Sequence, residues 1–233
     1  MLEIRDLQVR YGAVTAVQAV SLDVAAKDII GLIGPNGAGK SSTALAVAGL
    51  IRPSSGSVNF DGRSLGSLSA ASRVQAGLVL VPQGRQLFPS LSVVDNLRAG
   101  AWRLRQRFDR SDVDELLRDF PALQDRLEQP AGTLSGGEQQ MLALARALAS
   151  HPRFMILDEP SMGLSPIMVD RVAEVIGRLA RERGMTMLVI DQGIGLVRRV
   201  ASRVLVMAQG RIVGEQTARE LADQSAVEAM YFR

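Results

Sequence analysis

The stretch Gly34 to Ser42, reading GPNGAGKSS, restricts the possible folds more than any other part of the chain. It follows the apolar run Ile29 to Ile33 and precedes the helix-forming Thr43 to Ala48. Gly34, Gly39, Lys40 and Ser41 occupy the fixed positions of the G-x-x-x-x-G-K-[ST] phosphate loop, with a strand before it and a helix after it, as that motif requires. Glycines let a backbone curl tightly around an anion with successive N–H groups pointing inward. The helix opening near Lys40 adds unpaired N–H groups and its positive end to the same spot. Gly34, Pro35, Asn36, Gly37, Ala38, Gly39, Lys40, Ser41 and Ser42 are therefore the candidate phosphate-binding residues. Lys40 is suited to the β and γ phosphates and the Ser41 hydroxyl to magnesium. The expectation is a nucleoside triphosphate site.

Bulk properties exclude several other chemistries. A formal net charge of +3 over 233 residues gives no footprint for nucleic acid. The absence of cysteine removes thiolate chemistry, and a lone histidine, His151, rules out a histidine metal cluster. Met1 to Asp6 lacks the basic and apolar regions of a signal peptide, and there is no run of eighteen apolar residues. The chain is expected to be soluble in itself, with any membrane role supplied through a partner.

Along the chain, Leu2, Ile4, Leu7 and Val9 alternate with polar residues, broken at Asp6 to Leu7, which predicts an edge strand with a bulge. Val17 to Val24 predicts a second strand and Ile29 to Ile33 a third, suggesting a small mixed or antiparallel sheet beside a main parallel one. Ser57 to Phe60 and the apolar Leu78 to Val81 are further strands, with a short helix at Ser69 to Gln75 between them. From Gln83 to about Ala149 the pattern becomes helical: Val93 to Arg105, Val113 to Phe120, Ala122 to Leu127 and Gly136 to Ala149. This reads as a helical lobe, approximately residues 84–149, inserted into a single nucleotide-binding domain of 1–233. Strands at Phe154 to Leu157, Thr186 to Ile190, Val204 to Ala208 and Ile212 to Gly214 follow, with helices at Met168 to Arg181 and Glu220 to Met230.

Four apolar residues ending in Asp158 and Glu159 form the Walker B pattern, in which a buried strand delivers a carboxylate at its carboxyl end. Asp158 would hold magnesium opposite Ser41, leaving Glu159 to polarise or deprotonate the attacking water. Ser135 is a good N-cap for the helix beginning at Gly136, and Gly136 and Gly137 expose backbone N–H groups at its positive end, which makes a second phosphate site.

With Leu134-Ser-Gly-Gly-Glu-Gln-Gln140 the chain resembles the ATP-binding subunits of ATP-binding cassette transporters, whose signature is LSGGQ or a near variant; here Glu138 stands in place of the common glutamine. The resemblance covers essentially the whole chain. It implies a fold, an α/β P-loop NTPase (RecA-like) core with an antiparallel β subdomain and an inserted α-helical subdomain, and an activity, magnesium-dependent ATP hydrolysis. It matches Tyr11 to the aromatic residue that stacks on adenine, Gln83 to the glutamine that reaches the magnesium or the attacking water, and Ser161 to Ser165 to the D-loop. Because one chain carries one phosphate loop, it also implies that Ser135, Gly136 and Gly137 face the ATP of a second cassette subunit. Transmembrane permeases are the implied membrane partners, docking near Phe88 and Leu97.

Val81 to Phe88, Gly132 to Gln140, Ser161 to Pro166 and Ile190 to Gly193 are similar to the shorter ATPase of bacterial branched-chain amino acid importers. That subtype implies a periplasmic binding protein acting indirectly and a location on the cytoplasmic face of the inner membrane. It usually carries glutamate in place of Gln83 and Glu-Gln-Asn in place of Asp191-Gln192-Gly193. Most cassette ATPases have a switch histidine where Gln192 stands; an amide can donate and accept hydrogen bonds but cannot carry an imidazolium charge. His151, in a helix-ending His-Pro turn, is expected at the surface. Two alternatives stay open: a non-transport cassette ATPase with a mechanical or regulatory role, and an ATP sensor that no longer hydrolyses. The absence of a long coiled-coil insertion argues against the DNA-repair type, the single cassette against the translation type, and intact Lys40, Ser41, Asp158 and Glu159 against the sensor.

Overall fold

The computed structural model describes residues 1–102, 108–218 and 220–221. The first layer is a four-stranded antiparallel sheet in the order β2-β1-β4-β5, made of β1 (Leu2–Tyr11), β2 (Val14–Val24), β4 (Ser55–Phe60) and β5 (Arg63–Ser64). Leu2, Ile4, Leu7 and Val9 are all fully buried, although Ile4 and Leu7 are three residues apart. Asp6, with φ 49, absorbs the extra residue as a bulge, and the pairing with β2 shifts register between Ile4 and Leu7. Without that insertion Leu7 and Val9 would fall on the solvent face, because side chains alternate with period two.

The second layer is a six-stranded sheet in the order β10-β9-β3-β8-β7-β6. Its strands are β3 (Ile29–Ile33), β6 (Leu78–Val81), β7 (Phe154–Asp158), β8 (Thr186–Asp191), β9 (Arg203–Ala208) and β10 (Arg211–Thr217). All are parallel except β10, which pairs antiparallel with β9. β3, β7 and β8 are buried along their whole lengths, which explains their near-continuous apolar sequences. Alternate residues of β3 enter two different cores. Ile30 and Leu32 pack with α1 (Lys40–Ala48) and the antiparallel sheet, whereas Ile29 and Ile33 face the cluster built by the remaining helices.

Between β6 and β7 the chain is helical: α3 (Val93–Ala101), α4 (Arg110–Leu117), short 3-10 turns at Pro121–Arg126 and Ala131–Thr133, and α5 (Gly136–Leu148). Side chains start most of these helices. Ser92 caps α3, Asp109 and Asp112 form a reciprocal capping box on α4, and Ser135 and Glu138 form one on α5. α2 (Ala70–Ala76), α6 (Pro166–Arg183) and α7 (Ile194–Val200) complete the elements.

Several sequence expectations need correction. β1 is an internal strand, paired with β2 on one side and β4 on the other. Alternation reports that one face of a sheet is solvated, and carries no information on how many strands hydrogen-bond its edges. Ile29 to Ile33 joins the parallel sheet instead of the small one, whose places are taken by β4 and β5. Helix α4 begins at Arg110 because Asp109 caps it, and ends at Leu117, before Phe120. Ala122 to Leu127 is a 3-10 turn starting at Pro121. Helix α3 ends at Ala101 with Trp102 as its cap, and the expected extension through residues 103–105 lies outside the described residues. So does all but the start of the expected helix from Glu220 to Met230. Helix α7 went unpredicted: Gly193 and Gly195 at its start mask a seven-residue pattern too short for helical periodicity to register.

Candidate nucleotide site

Three parallel strands end side by side and deliver the chemistry from their carboxyl ends, where open α/β sheets hold ligands. β3 runs into the phosphate loop, β7 ends on Asp158 and β8 ends on Asp191. The loop folds back as α1 at Gly39, whose φ of 104 is accessible to glycine, and a side chain there would run into the Ala16 carbonyl. No side chain caps α1, so its first N–H groups stay directed at whatever fills the loop.

Lys40 is 4% exposed, and its ammonium donates to the carbonyls of Gly34 at 2.7 Å and Pro35 at 3.1 Å. The Glu159 carboxylate stands 3.9 Å away. Burial lowers the Lys40 pKa, against the opposing pull of Glu159, Asp158 and Asp191. The Ser41 hydroxyl donates to Asp158 Oδ1 at 3.1 Å. Burial raises the Asp158 pKa, partly offset by that hydrogen bond. Glu159 has a left-handed backbone, φ 49, and its N–H donates to the Ile190 carbonyl at 2.8 Å. A non-glycine residue in this region is uncommon, and here it turns the Glu159 carboxylate toward the loop instead of continuing the strand.

Asn36 to Ser42, Gln83, Glu159, Met162 and Gln192 line one cavity of about 470 Å³. The Gln83 amide donates to Glu159 Oε2 at 2.8 Å and contacts Met162 Sδ at 3.1 Å. The structure thus brings together Lys40, Ser41, Asp158, Glu159, Gln83 and Gln192 from four separate stretches of sequence. Tyr11 does not line this cavity; its half-exposed ring stands beside it, with the phenolic oxygen 3.3 Å from Ser42 Oγ. Ser135, Gly136 and Gly137 begin α5 and are likewise absent from its walls. His151 is exposed just after α5.

Two residues escaped sequence reasoning. Asp191 is 4% exposed; its Oδ1 accepts from the N–H groups of Gln192 at 2.8 Å and Gly193 at 3.4 Å, while Oδ2 has no hydrogen-bond partner among the described residues. The signal was present, since Leu188-Val-Ile-Asp191 repeats the pattern of an apolar run ending in a carboxylate seen in Met155-Ile-Leu-Asp158. Met162 was passed over because an apolar residue in a loop carries no chemical mark.

A buried lysine in a glycine-rich loop, a hydroxyl paired with a strand-end carboxylate, and a second carboxylate held over the same cavity define a P-loop nucleoside triphosphatase. The ABC transporter family matches residues 17–162, and the chain belongs to that family as an ATP-hydrolysing, nucleotide-binding subunit. It is 38% identical over 231 residues to the high-affinity branched-chain amino acid transport ATP-binding protein BraG of Pseudomonas aeruginosa, covering 99% of both chains. It is 34% identical over 237 residues to the lipopolysaccharide export system ATP-binding protein LptB of Haemophilus influenzae, covering 99% of this chain and 96% of that one. The crystal structure of an ABC-transporter ATP-binding cassette in its ADP conformation superposes with a TM-score of 0.87 at 24% identity, covering 100% of this chain and 98% of the other. That likeness fixes the fold as a RecA-like core with β and α-helical subdomains.

Proposed function

We propose that this chain energises an importer of branched-chain or related amino acids, and that Lys40, Ser41, Gln83, Asp158, Glu159 and Gln192 carry its ATP hydrolysis. The observation that supports the catalytic assignment is the cavity lined by Lys40, Ser41, Gln83, Glu159 and Gln192, to which Asp158 is joined through its hydrogen bond from Ser41. The loop N–H groups and Lys40 hold the phosphates, and Lys40 exchanges its loop carbonyls for phosphate oxygens when nucleotide enters. The donor set suits magnesium. Ser41 and Asp158 offer a hydroxyl and a carboxylate 3.1 Å apart, with Gln83 on the same cavity as Ser41, and among the described residues no group of three or more histidines, cysteines or acids is arranged to hold a metal ion by itself. Phosphate oxygens and water would complete the shell, as magnesium prefers, and the ion would supply positive charge to the phosphates. Glu159 orients a water and accepts its proton as the oxygen bonds to the γ phosphorus. The bond from that phosphorus to the bridging oxygen breaks, releasing ADP and phosphate. Gln192 donates its amide to the departing phosphoryl oxygens.

Ser135, Gly136 and Gly137 lie off this cavity, so we assign them to the nucleotide of a second cassette subunit in a head-to-tail pair. No helix among the described residues is long and apolar enough to cross a membrane. Anchoring on the cytoplasmic face of the inner membrane therefore falls to permease partners, with a periplasmic binding protein delivering the cargo. The 38% identity with the branched-chain amino acid protein supports the importer reading, while the 34% identity with a lipopolysaccharide exporter shows that the cassette itself leaves the cargo open. Uptake of labelled leucine, isoleucine and valine in the native host tests the assignment. Deletion of this chain should abolish high-affinity uptake, and the intact chain, but not Glu159→Gln, should restore it. Undiminished uptake in the deletion strain would remove the cargo, and an envelope defect in its place would favour export.

A further inference from the structure

The segment after Gln83 reaches a second place in the molecule. Gly84, Arg85 and Gln86 have φ values of 77, 65 and 43. Three consecutive left-handed residues, two of them not glycine, are costly for a backbone and persist only where neighbours hold them. Arg146 of α5 is the holder: its guanidinium donates to the Gln86 carbonyl at 2.8 Å and to the Arg85 carbonyl at 3.2 Å, and it lies 5.5 Å from the Phe88 ring centre.

Pinned in this way, Arg85 sends its side chain to the start of α5. Nη1 donates to Gln139 Oε1 at 3.2 Å, and a Cβ added to Gly136 would stand 3.4 Å from Nη2. Among the described residues Arg85 forms no ion pair. A guanidinium against the positive end of a helix, satisfied by one neutral acceptor, is electrostatically placed for an anion. The local carboxylate is already committed. Glu138 Oε2 accepts from the Ser135 hydroxyl at 2.8 Å and the Ser135 N–H at 2.9 Å, and Glu138 Oε1 pairs with Arg126 at 3.0 Å. Glu138 also places a negative charge within the motif assigned above to a phosphate, so an approaching phosphate needs a cation that Arg126 does not leave free.

We propose that Arg85 is a phosphate-contacting residue supplied in trans: its guanidinium meets the terminal phosphates of the nucleotide held by the facing subunit. This rests on the head-to-tail reading of the signature. Gln83 and Arg85, two residues apart, then serve two different nucleotides, Gln83 the one in its own cavity and Arg85 the one across the interface.

Mixed pairs of the purified full-length chain test this. One subunit carries Lys40→Ala, which removes its own nucleotide but leaves its signature and Arg85 intact. The other carries Glu159→Gln, which holds ATP without turning it over. Fluorescently labelled at different colours, the two should associate on addition of Mg-ATP. Arg85→Gln placed on the Lys40→Ala subunit should weaken that association about tenfold, the scale of one charge-assisted hydrogen bond. Arg85→Lys there should restore part of it, and raised salt should shrink the difference between Arg and Gln. Arg85→Gln placed on the ATP-holding subunit should have a much smaller effect. An equal loss from both placements, or none from either, would overturn the role in trans. If the parent pair does not associate with ATP at all, the head-to-tail reading itself fails, and Arg85 with it.

Discussion

The amide of Gln83 donates a 2.8 Å hydrogen bond to the Glu159 carboxylate, joining residues 76 apart in sequence directly over the phosphate loop. The bond ties the proposed general base to the segment that leads toward the helices between β6 and β7. The same carboxylate also lies 3.9 Å from the Lys40 ammonium. Glu159→Gln should bind ATP and lose about a hundredfold or more of turnover, the usual scale for a general base. Gln83→Ala should lower turnover less. Phosphate release beside equilibrium binding of a fluorescent ATP analogue separates the two, and normal turnover in Glu159→Gln would reject its role.

Lys40 is buried among three carboxylates and two carbonyls. Lys40→Ala removes the cation from a site that also contains Asp158, Glu159 and Asp191, so three carboxylates are left without it as the triphosphate approaches. A loss of ATP affinity of about a hundredfold or more is expected. Isothermal titration calorimetry measures it, and an unchanged affinity would show that the loop amides suffice.

Gln192 faces the cavity, and the chain's one histidine lies elsewhere, on the surface after α5. Turnover of the parent should therefore show no step attributable to an imidazole at this position. Gln192→His should introduce a titration near the ordinary histidine range of about 6.5 into the pH dependence of turnover. Superimposable pH profiles and rates for the two proteins would mean that the residue at this position is not engaged with the γ phosphate.

The Glu138 carboxyl is held below the usual glutamate range, first by the Ser135 hydroxyl and then by the Ser135 N–H, with Arg126 adding to both. Its folded pKa is depressed, so its contribution to stability is complete above the unfolded-state value and is lost as pH falls through the folded one. Thermal unfolding of the parent and of Glu138→Gln should differ at neutral pH and converge in acid. A difference independent of pH would assign the effect to packing instead of charge.

Asp119, 5% exposed just beyond the end of α4, forms ion pairs with two arginines of α6, Arg183 at 2.7 Å and Arg178 at 3.4 Å, and the Arg178 guanidinium also donates to the Asp119 carbonyl. Removing the carboxylate leaves two arginines converging without their anion. Asp119→Ala should destabilise the fold by about 3 kcal/mol, lowering the melting temperature by roughly 10 °C. Asp119→Ala/Arg183→Ala should cost less than the sum of the single changes, and strict additivity would dissolve the pair.

The glycine turn into α1, the buried strand ending on Asp158 and the Ser135-capped start of α5 were legible because each is local: a run of consecutive residues whose types are dictated by backbone turns, helix caps or a strand end. The bulge in β1 was legible for the same reason, as a break in a two-residue period. Strand order was not, since Leu2–Tyr11 carries the same alternation whether one edge or both are paired. The short helix Ile194–Val200 also lay below what periodicity can resolve. Sequence alone thus determined the kind of chemistry, triphosphate binding with a spare carboxylate, because that chemistry needs particular residues at particular spacings. Only the tertiary structure decided which groups meet. It brings Asp191 in beside Asp158 by pairing β7 with β8, hangs Gln83 over Glu159, and carries Arg85 away from its own phosphate loop to the start of α5. Those meetings depend on which strands and helices pack together, a non-local free energy spread over the two cores, and single segments of sequence do not record it.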